Sequence, residues 1–219
     1  MKYLWLMSML YRKERTTLFL LLSYSILLLL CRATLTQSIY LFFLVWNTFL
    51  GIIPLLISSY IHFTGELLSK TKLIILLLIW LVFLPNSFYI ITDVVHLPKS
   101  SKHLFWLDAT IILSCAITGF YAGFISINQI SQVVQLKYAI KIQQWHLLLL
   151  AILSGFGIYI GRILRFNSWD IILQPTYLIE TLLQQIIDLK PVLFSIHFGL
   201  FIYLTLYCFK KITTHEHTF

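Results

Sequence analysis

Acidic side chains are scarce in this sequence, eight Asp and Glu against sixteen Lys and Arg among 219 residues, and charged residues of all kinds make up only 11%. An ordinary soluble domain carries roughly 25% charged residues, so a water-facing globule is excluded at the outset. Linkers are lacking too: no Gly/Ser-rich or Pro-rich stretch divides the chain, which reads as a single integral domain over residues 1–219. Cysteine is sparse, and Cys31, Cys115 and Cys208 lie in or beside apolar runs with no C-x-x-C pair, which points to buried thiols. Neither H-E-x-x-H, G-x-S-x-G nor a P-loop is present, so no familiar hydrolytic or nucleotide-binding motif assigns an activity or a cofactor.

What the sequence has in abundance is apolar length, with hydrophobic residues at 59%. A bilayer core about 30 Å thick asks for roughly 20 apolar residues per helix, because every backbone donor and acceptor must be satisfied within the segment. Six stretches meet the demand: Thr17 to Cys31, Ile39 to Ile61, Leu73 to Ile91, Leu104 to Ile127, Trp145 to Gly161 and Pro191 to Phe209. The expected fold is therefore all-α, a polytopic transmembrane bundle of about six spans. Arg12, Lys13 and Arg15 ahead of the first run resemble the start of a signal peptide. Large Leu27 to Leu30 stand where a processing enzyme needs small residues, so the run reads as an anchor.

Orientation follows from the basic residues. With the N-terminus in the cytoplasm, ten of the sixteen fall on the inner side: Lys2, Arg12, Lys13, Arg15, Lys70, Lys72, Lys137, Lys141, Lys210 and Lys211. The positive-inside tendency then predicts both termini in the cytoplasm. The net charge of +8 is explained by topology and anionic headgroups; no basic helix interleaved with stacking aromatics suggests nucleic acid.

The informative polar residues form two clusters at the ends of the third and fifth spans, which both run outward. The first reads Pro85-Asn86-Ser87-Phe88-Tyr89-Ile90-Ile91-Thr92-Asp93-Val94-Val95-His96-Leu97 and the second Gly161-Arg162-Ile163-Leu164-Arg165-Phe166-Asn167-Ser168-Trp169-Asp170. Pro85 removes a backbone donor and predicts a kink or break, with Asn86 and Ser87 placed to serve the released carbonyls. Asp93 and His96 share a spacing of three, as do Arg162 and Arg165, which sets each pair on one helical face.

These two motifs resemble the domain-of-unknown-function 1361 family of bacterial membrane proteins. Ser87-Phe88 and Phe166 stand where that pattern has Ala-Pro and Trp. The resemblance implies a multi-pass protein of the bacterial cytoplasmic membrane and brings no assigned activity.

Three readings of the clusters stay open. In one, an outward-facing polar site binds an anionic or lipid-linked ligand, with Asp93, His96 and Asp108 as candidate catalytic groups and Asn86, Tyr89, Arg162, Arg165, Asn167, Trp169 and Asp170 as candidate ligand contacts. Asp93, His96, His103 and Asp108 are also of metal-ligating types. A second reading is a small transporter, or a subunit of one, built around a broken third helix. The partial echo of Asn86-Ser87-Phe88 in Asn167-Ser168-Trp169 would suit a duplicated unit. In the third, Asp93 or Asp170 pairs with Arg162 or Arg165 merely to fix helix packing, in an accessory subunit. Two connections complete the pattern: an amphipathic outer segment from Thr176 onward, between the fifth and sixth spans, and an inner one from Asn128 to Gln144 with a helical part. Trp80, Trp106, Trp145, Trp169 and Tyr89 read most simply as an interfacial belt.

Overall fold

The computed structural model describes residues 2–65, 67–100, 102–166 and 188–215, together with residues 173, 176, 177, 180, 181 and 185. All regular structure among these residues is helical: α1 (Lys2–Thr36), α2 (Phe43–Thr64), α3 (Lys70–Tyr89), a 3-10 segment (Ile90–Lys99), α4 (Phe105–Tyr138), α5 (Gln144–Arg162) and α6 (Leu189–His215). Six helices are long and apolar enough to cross a membrane, the third span running on through the 3-10 segment to Pro98. The chain is a multi-pass membrane protein.

The helix ends follow local chemistry. Neither Gly nor Pro occurs before Gly51, so nothing interrupts α1. It runs 35 residues, well past the expected Thr17 to Cys31, and ends at Gln37, whose φ of 52° turns the chain. Ser69 caps α3 by accepting from the Lys72 amide at 3.4 Å. Gln143 and His146 form a reciprocal capping box at the start of α5. The α3 helix does not break at Pro85; it continues to Tyr89 and tightens to 3-10 geometry at Ile90. Gly157 of α5 faces the Pro85 ring, and its missing side chain leaves the space that the ring needs. Asn86 Nδ2 donates to the Phe83 carbonyl at 3.1 Å, and Ser87 Oγ donates across to the Gly51 carbonyl at 2.7 Å.

The innermost helix is α4. It contacts α1, α2, α3 and the 3-10 segment, while the α5–α6 hairpin docks mainly on α3. The long core cluster joins Trp80, Leu84 and Phe88 of α3 to Phe120, Phe124 and Ile130 of α4 and Ile158 of α5. A smaller cluster of Leu29, Leu41, Leu44, Ile90, Ile111 and Ile112 closes the end where α1 and α2 meet the 3-10 segment. Close crossings are made by glycine: a Cβ on Gly119 would stand 2.5 Å from the Ser87 carbonyl oxygen, and one on Gly155 2.5 Å from that of Ser195.

The inner connection is shorter than expected. The sequence predicts it over Asn128 to Gln144 with a helical part; that part belongs to α4, which continues to Tyr138, and only residues 139–143 connect it to α5. Gln129 is buried because Ser58 and Ser59 of α2 both donate to its Oε1, at 2.6 and 3.2 Å. Lys137 Nζ then ties the end of α4 to the α2–α3 turn through the Gly65 and Leu68 carbonyls, at 2.7 and 2.8 Å. Most of the amphipathic segment after Thr176 lies outside the described residues. Of it, Gln185 accepts from Tyr159 Oη at 3.0 Å, and the Tyr177 ring lies 5.6 Å from that of Phe166.

Candidate functional site: two buried ion pairs at one end of the bundle

Successive spans run in alternate directions, so the end of α1, the start of α2, the 3-10 segment, the start of α4 and the end of α5 share one end of the bundle. Arg32, Asn47, Asp93, Asp108 and Arg162 all sit there. A charge buried in this setting must be paired and hydrogen-bonded, because its desolvation costs several kcal/mol.

The first pair joins α5 to the 3-10 segment. Arg162 Nη2 donates to Asp93 Oδ1 at 2.5 Å, and its Nε donates to Thr92 Oγ1 at 2.8 Å. Asn47 Nδ2 of α2 donates to the other oxygen, Asp93 Oδ2, at 2.8 Å. The Tyr89 ring lies beneath the guanidinium, 4.3 Å from Cζ, adding a cation–π contact. Asp93 is 1% exposed, whereas the Arg162 side chain keeps 18% of its surface. As the last residue of α5, Arg162 also sits at the helix end whose dipole favours a cation.

The second pair joins α1 to α4. Arg32 grips Asp108 with two donors, Nε to Oδ1 at 2.6 Å and Nη2 to Oδ2 at 3.4 Å, and Ser100 Oγ donates to Oδ2 at 2.6 Å. Both side chains are buried, at 7% and 0% exposure. The Arg32 guanidinium lies 5.2 Å from the Tyr40 ring centre, and Tyr40 Oη donates to the His96 carbonyl at 3.0 Å.

The sequence candidates thus divide. Asp93 and Arg162 meet, with Tyr89 in contact. Asp108 turns instead to Arg32. The His96 ring packs against Phe43, with centroids 4.8 Å apart. His103 and Arg165 are exposed, and Arg165 adopts a left-handed backbone, φ 63°, in the turn after α5. Asn167, Trp169 and Asp170 lie outside the described residues. Among the described residues no three His, Cys, Asp or Glu side chains gather as they would around a metal ion, Asp93, His96, His103 and Asp108 included. Sequence reasoning missed Arg32, Asn47, Thr92 and Ser100. The signal for Arg32 was its place at the end of an apolar run: a buried guanidinium needs a carboxylate, and the acidic residues are few.

Deeper between α1 and α4, Ser25 Oγ lies 3.1 Å from Ser114 Oγ and 3.5 Å from Thr118 Oγ1. Each of these hydroxyls also donates to a carbonyl of its own helix, at 2.8 to 2.9 Å. Such back-bonding satisfies a hydroxyl in hydrocarbon and makes this a packing contact.

No curated protein and no solved structure matches the chain. A family model does, over residues 46–205, which takes in Asp93, Asp108 and Arg162 and leaves out Arg32. With most of its length matched, the chain belongs to the family described as Protein of unknown function (DUF1361).

Proposed function

We propose that this is a non-catalytic, multi-pass accessory subunit of the bacterial cytoplasmic membrane, seated with both termini inside, whose Arg–Asp pairs lock the helix ends together. One observation carries the reading: all four oxygens of Asp93 and Asp108 already hold a donor from another part of the fold. A general base must reach a substrate proton with an available oxygen. These carboxylates are instead held by Arg162, Asn47, Arg32 and Ser100 and sealed from solvent, at 1% exposure for Asp93 and 0% for Asp108, so neither presents an oxygen to a substrate. The orientation is supported by Lys13, Arg15, Lys70, Lys72, Lys137, Lys141, Lys210 and Lys211, which all fall at the opposite ends of the spans.

The test is a charge swap. Asp93→Arg and Arg162→Asp are each expected to lower accumulation and thermal stability, and the double variant to recover a substantial part of both. An Asp93→Asn protein as stable as the wild type would overturn the structural role.

One observation favours a second reading, an anionic headgroup bound at this end. Arg165 is exposed and holds a left-handed backbone that a glycine would adopt with less strain. In that reading Arg165→Gly keeps the fold but weakens binding to vesicles of phosphatidylglycerol relative to phosphatidylcholine. Unchanged binding removes the reading.

A further inference from the structure

Thr48 of α2 departs from the rule that buried hydroxyls follow elsewhere in this bundle. Ser25, Ser58, Ser114, Thr118, Ser154 and Ser195 each donate to a carbonyl three or four residues back in their own helix, at 2.6 to 3.0 Å. That back-bond settles the proton inside hydrocarbon. Thr48 is only 7% exposed, yet its Oγ1 makes no hydrogen bond among the described residues. A hydroxyl buried in that state has lost its hydration with nothing in exchange.

Its surroundings are polar. The Cys115 thiol of α4 stands beside the hydroxyls of Thr48, Ser25 and Ser114, so groups from α1, α2 and α4 meet there, and all four residues are buried. Ser25 Oγ lies 3.1 Å from Ser114 Oγ and 3.5 Å from Thr118 Oγ1. A hydroxyl has a single proton, and these three each commit theirs to a carbonyl, so the lone pairs that face one another are short of donors. Cys115 lies about 10 Å along α4 from Asp108, toward the middle of the span, at 1.5 Å per residue.

Charge and hydrogen-bond capacity select the occupant. Asp93 and Asp108 are already matched by Arg162 and Arg32, so no net charge is left nearby to hold an ion. An apolar molecule would leave Thr48 Oγ1 as bare as before. The lone pairs call for a donor and the Thr48 hydroxyl for an acceptor, and water is the smallest neutral molecule that supplies two of each. We infer that an ordered water is bound between α1, α2 and α4, held by Thr48 Oγ1, the Cys115 thiol and the Ser25–Ser114 pair. It ties α2 into a polar contact otherwise made by α1 and α4. Asn47, the residue before Thr48, holds Asp93 Oδ2 at 2.8 Å, so the water extends the polar cluster of the ion pairs one step deeper into the bundle.

The experiment exposes the full chain in phosphatidylcholine vesicles to a brief X-ray pulse, which makes hydroxyl radicals from water where the water stands, and reads oxidation of Cys115 by mass spectrometry. Cys115 is 1% exposed, so its oxidation reports bound water rather than solvent. Wild type is expected to be oxidised at Cys115. Thr48→Val, which keeps the shape and removes the hydroxyl, should lose most of that yield, and Thr48→Ser, which keeps the hydroxyl, should retain it. Thermal unfolding gives a second readout, in which Thr48→Val should melt below wild type because the water loses a partner. Wild-type Cys115 left unoxidised, equal yields in wild type and Thr48→Val, or a Thr48→Val protein that melts higher, as relief of an unsatisfied hydroxyl requires, would each overturn the site.

Discussion

Arg162 and Asp93 stand 69 residues apart in the chain and meet at 2.5 Å, the last residue of α5 closing on the middle of the 3-10 segment that follows α3. The contact fastens the α5–α6 hairpin to the α1–α4 body at the end where Pro85 and Gly157 already bring α3 and α5 together. Removing one partner leaves a buried charge uncompensated, whereas removing both leaves only lost packing. Arg162→Ala is therefore expected to cost about 3–5 kcal/mol of stability, and Asp93→Asn with Arg162→Met markedly less. Thermal unfolding in one detergent checks the order; equal losses for single and double variants would show that the pair does not act as a unit.

The Arg32–Asp108 pair depends on a planar fork, since two nitrogens of one guanidinium reach two oxygens of one carboxylate. Lysine offers the charge without the fork. Arg32→Lys should lower the melting temperature and speed proteolysis between α1 and α2, with Asp108→Asn doing at least as much. An Arg32→Lys protein indistinguishable from wild type on both readouts would show that charge alone suffices.

Gly119 and Gly51 both face the Asn86–Ile90 stretch, but at different clearances. A Cβ at Gly119 would come within 2.5 Å of a backbone oxygen, and one at Gly51 would stand 3.2 Å from the Asn86 carbonyl oxygen. Backbone cannot yield as a side-chain tip can, so Gly119→Ala is expected to destabilise by about 1–3 kcal/mol and Gly51→Ala by less. Equilibrium unfolding of the two variants ranks them.

Ala139 ends α4 with φ 55°, its amide donating to the Gln135 carbonyl at 3.0 Å. This is the left-handed cap that glycine fills without a Cβ penalty. Ala139→Gly should raise stability by about 1 kcal/mol, read as a higher melting temperature. A lower one would mean that the gain in unfolded-chain entropy outweighs the relieved strain.

Orientation has its own test. In a Cys31→Ser, Cys208→Ser background, a membrane-impermeant maleimide applied to intact cells should label Lys102→Cys and leave Ala139→Cys unlabelled until the cells are opened. The reverse pattern would invert the proposed topology.

Much of the fold was legible because hydrocarbon permits few solutions: six apolar runs of sufficient length become six helices. The differences fall where polar residues meet the membrane. The sequence predicts the inner connection over Asn128 to Gln144 with a helical part, and that part proves to be the last turns of α4, which carry on to Tyr138 with Gln129 buried against Ser58 and Ser59. Pro85 suggested a kink or a break, and the break is absent: α3 runs on to Tyr89, with the Pro85 ring packed into the space that Gly157 of another helix leaves.

The sequence by itself determined the bilayer, the number of spans and the end of the bundle at which Asp93, Asp108 and Arg162 collect, because apolar length and alternation of direction are properties of the chain read in order. Only the tertiary structure decided that Asp93 takes Arg162 while Asp108 takes Arg32, and that His96 faces Phe43. Charge pairing depends on which helices are neighbours and how each is rotated. Those are set by the glycine crossings and the packing of α4, summed over contacts that no local spacing records.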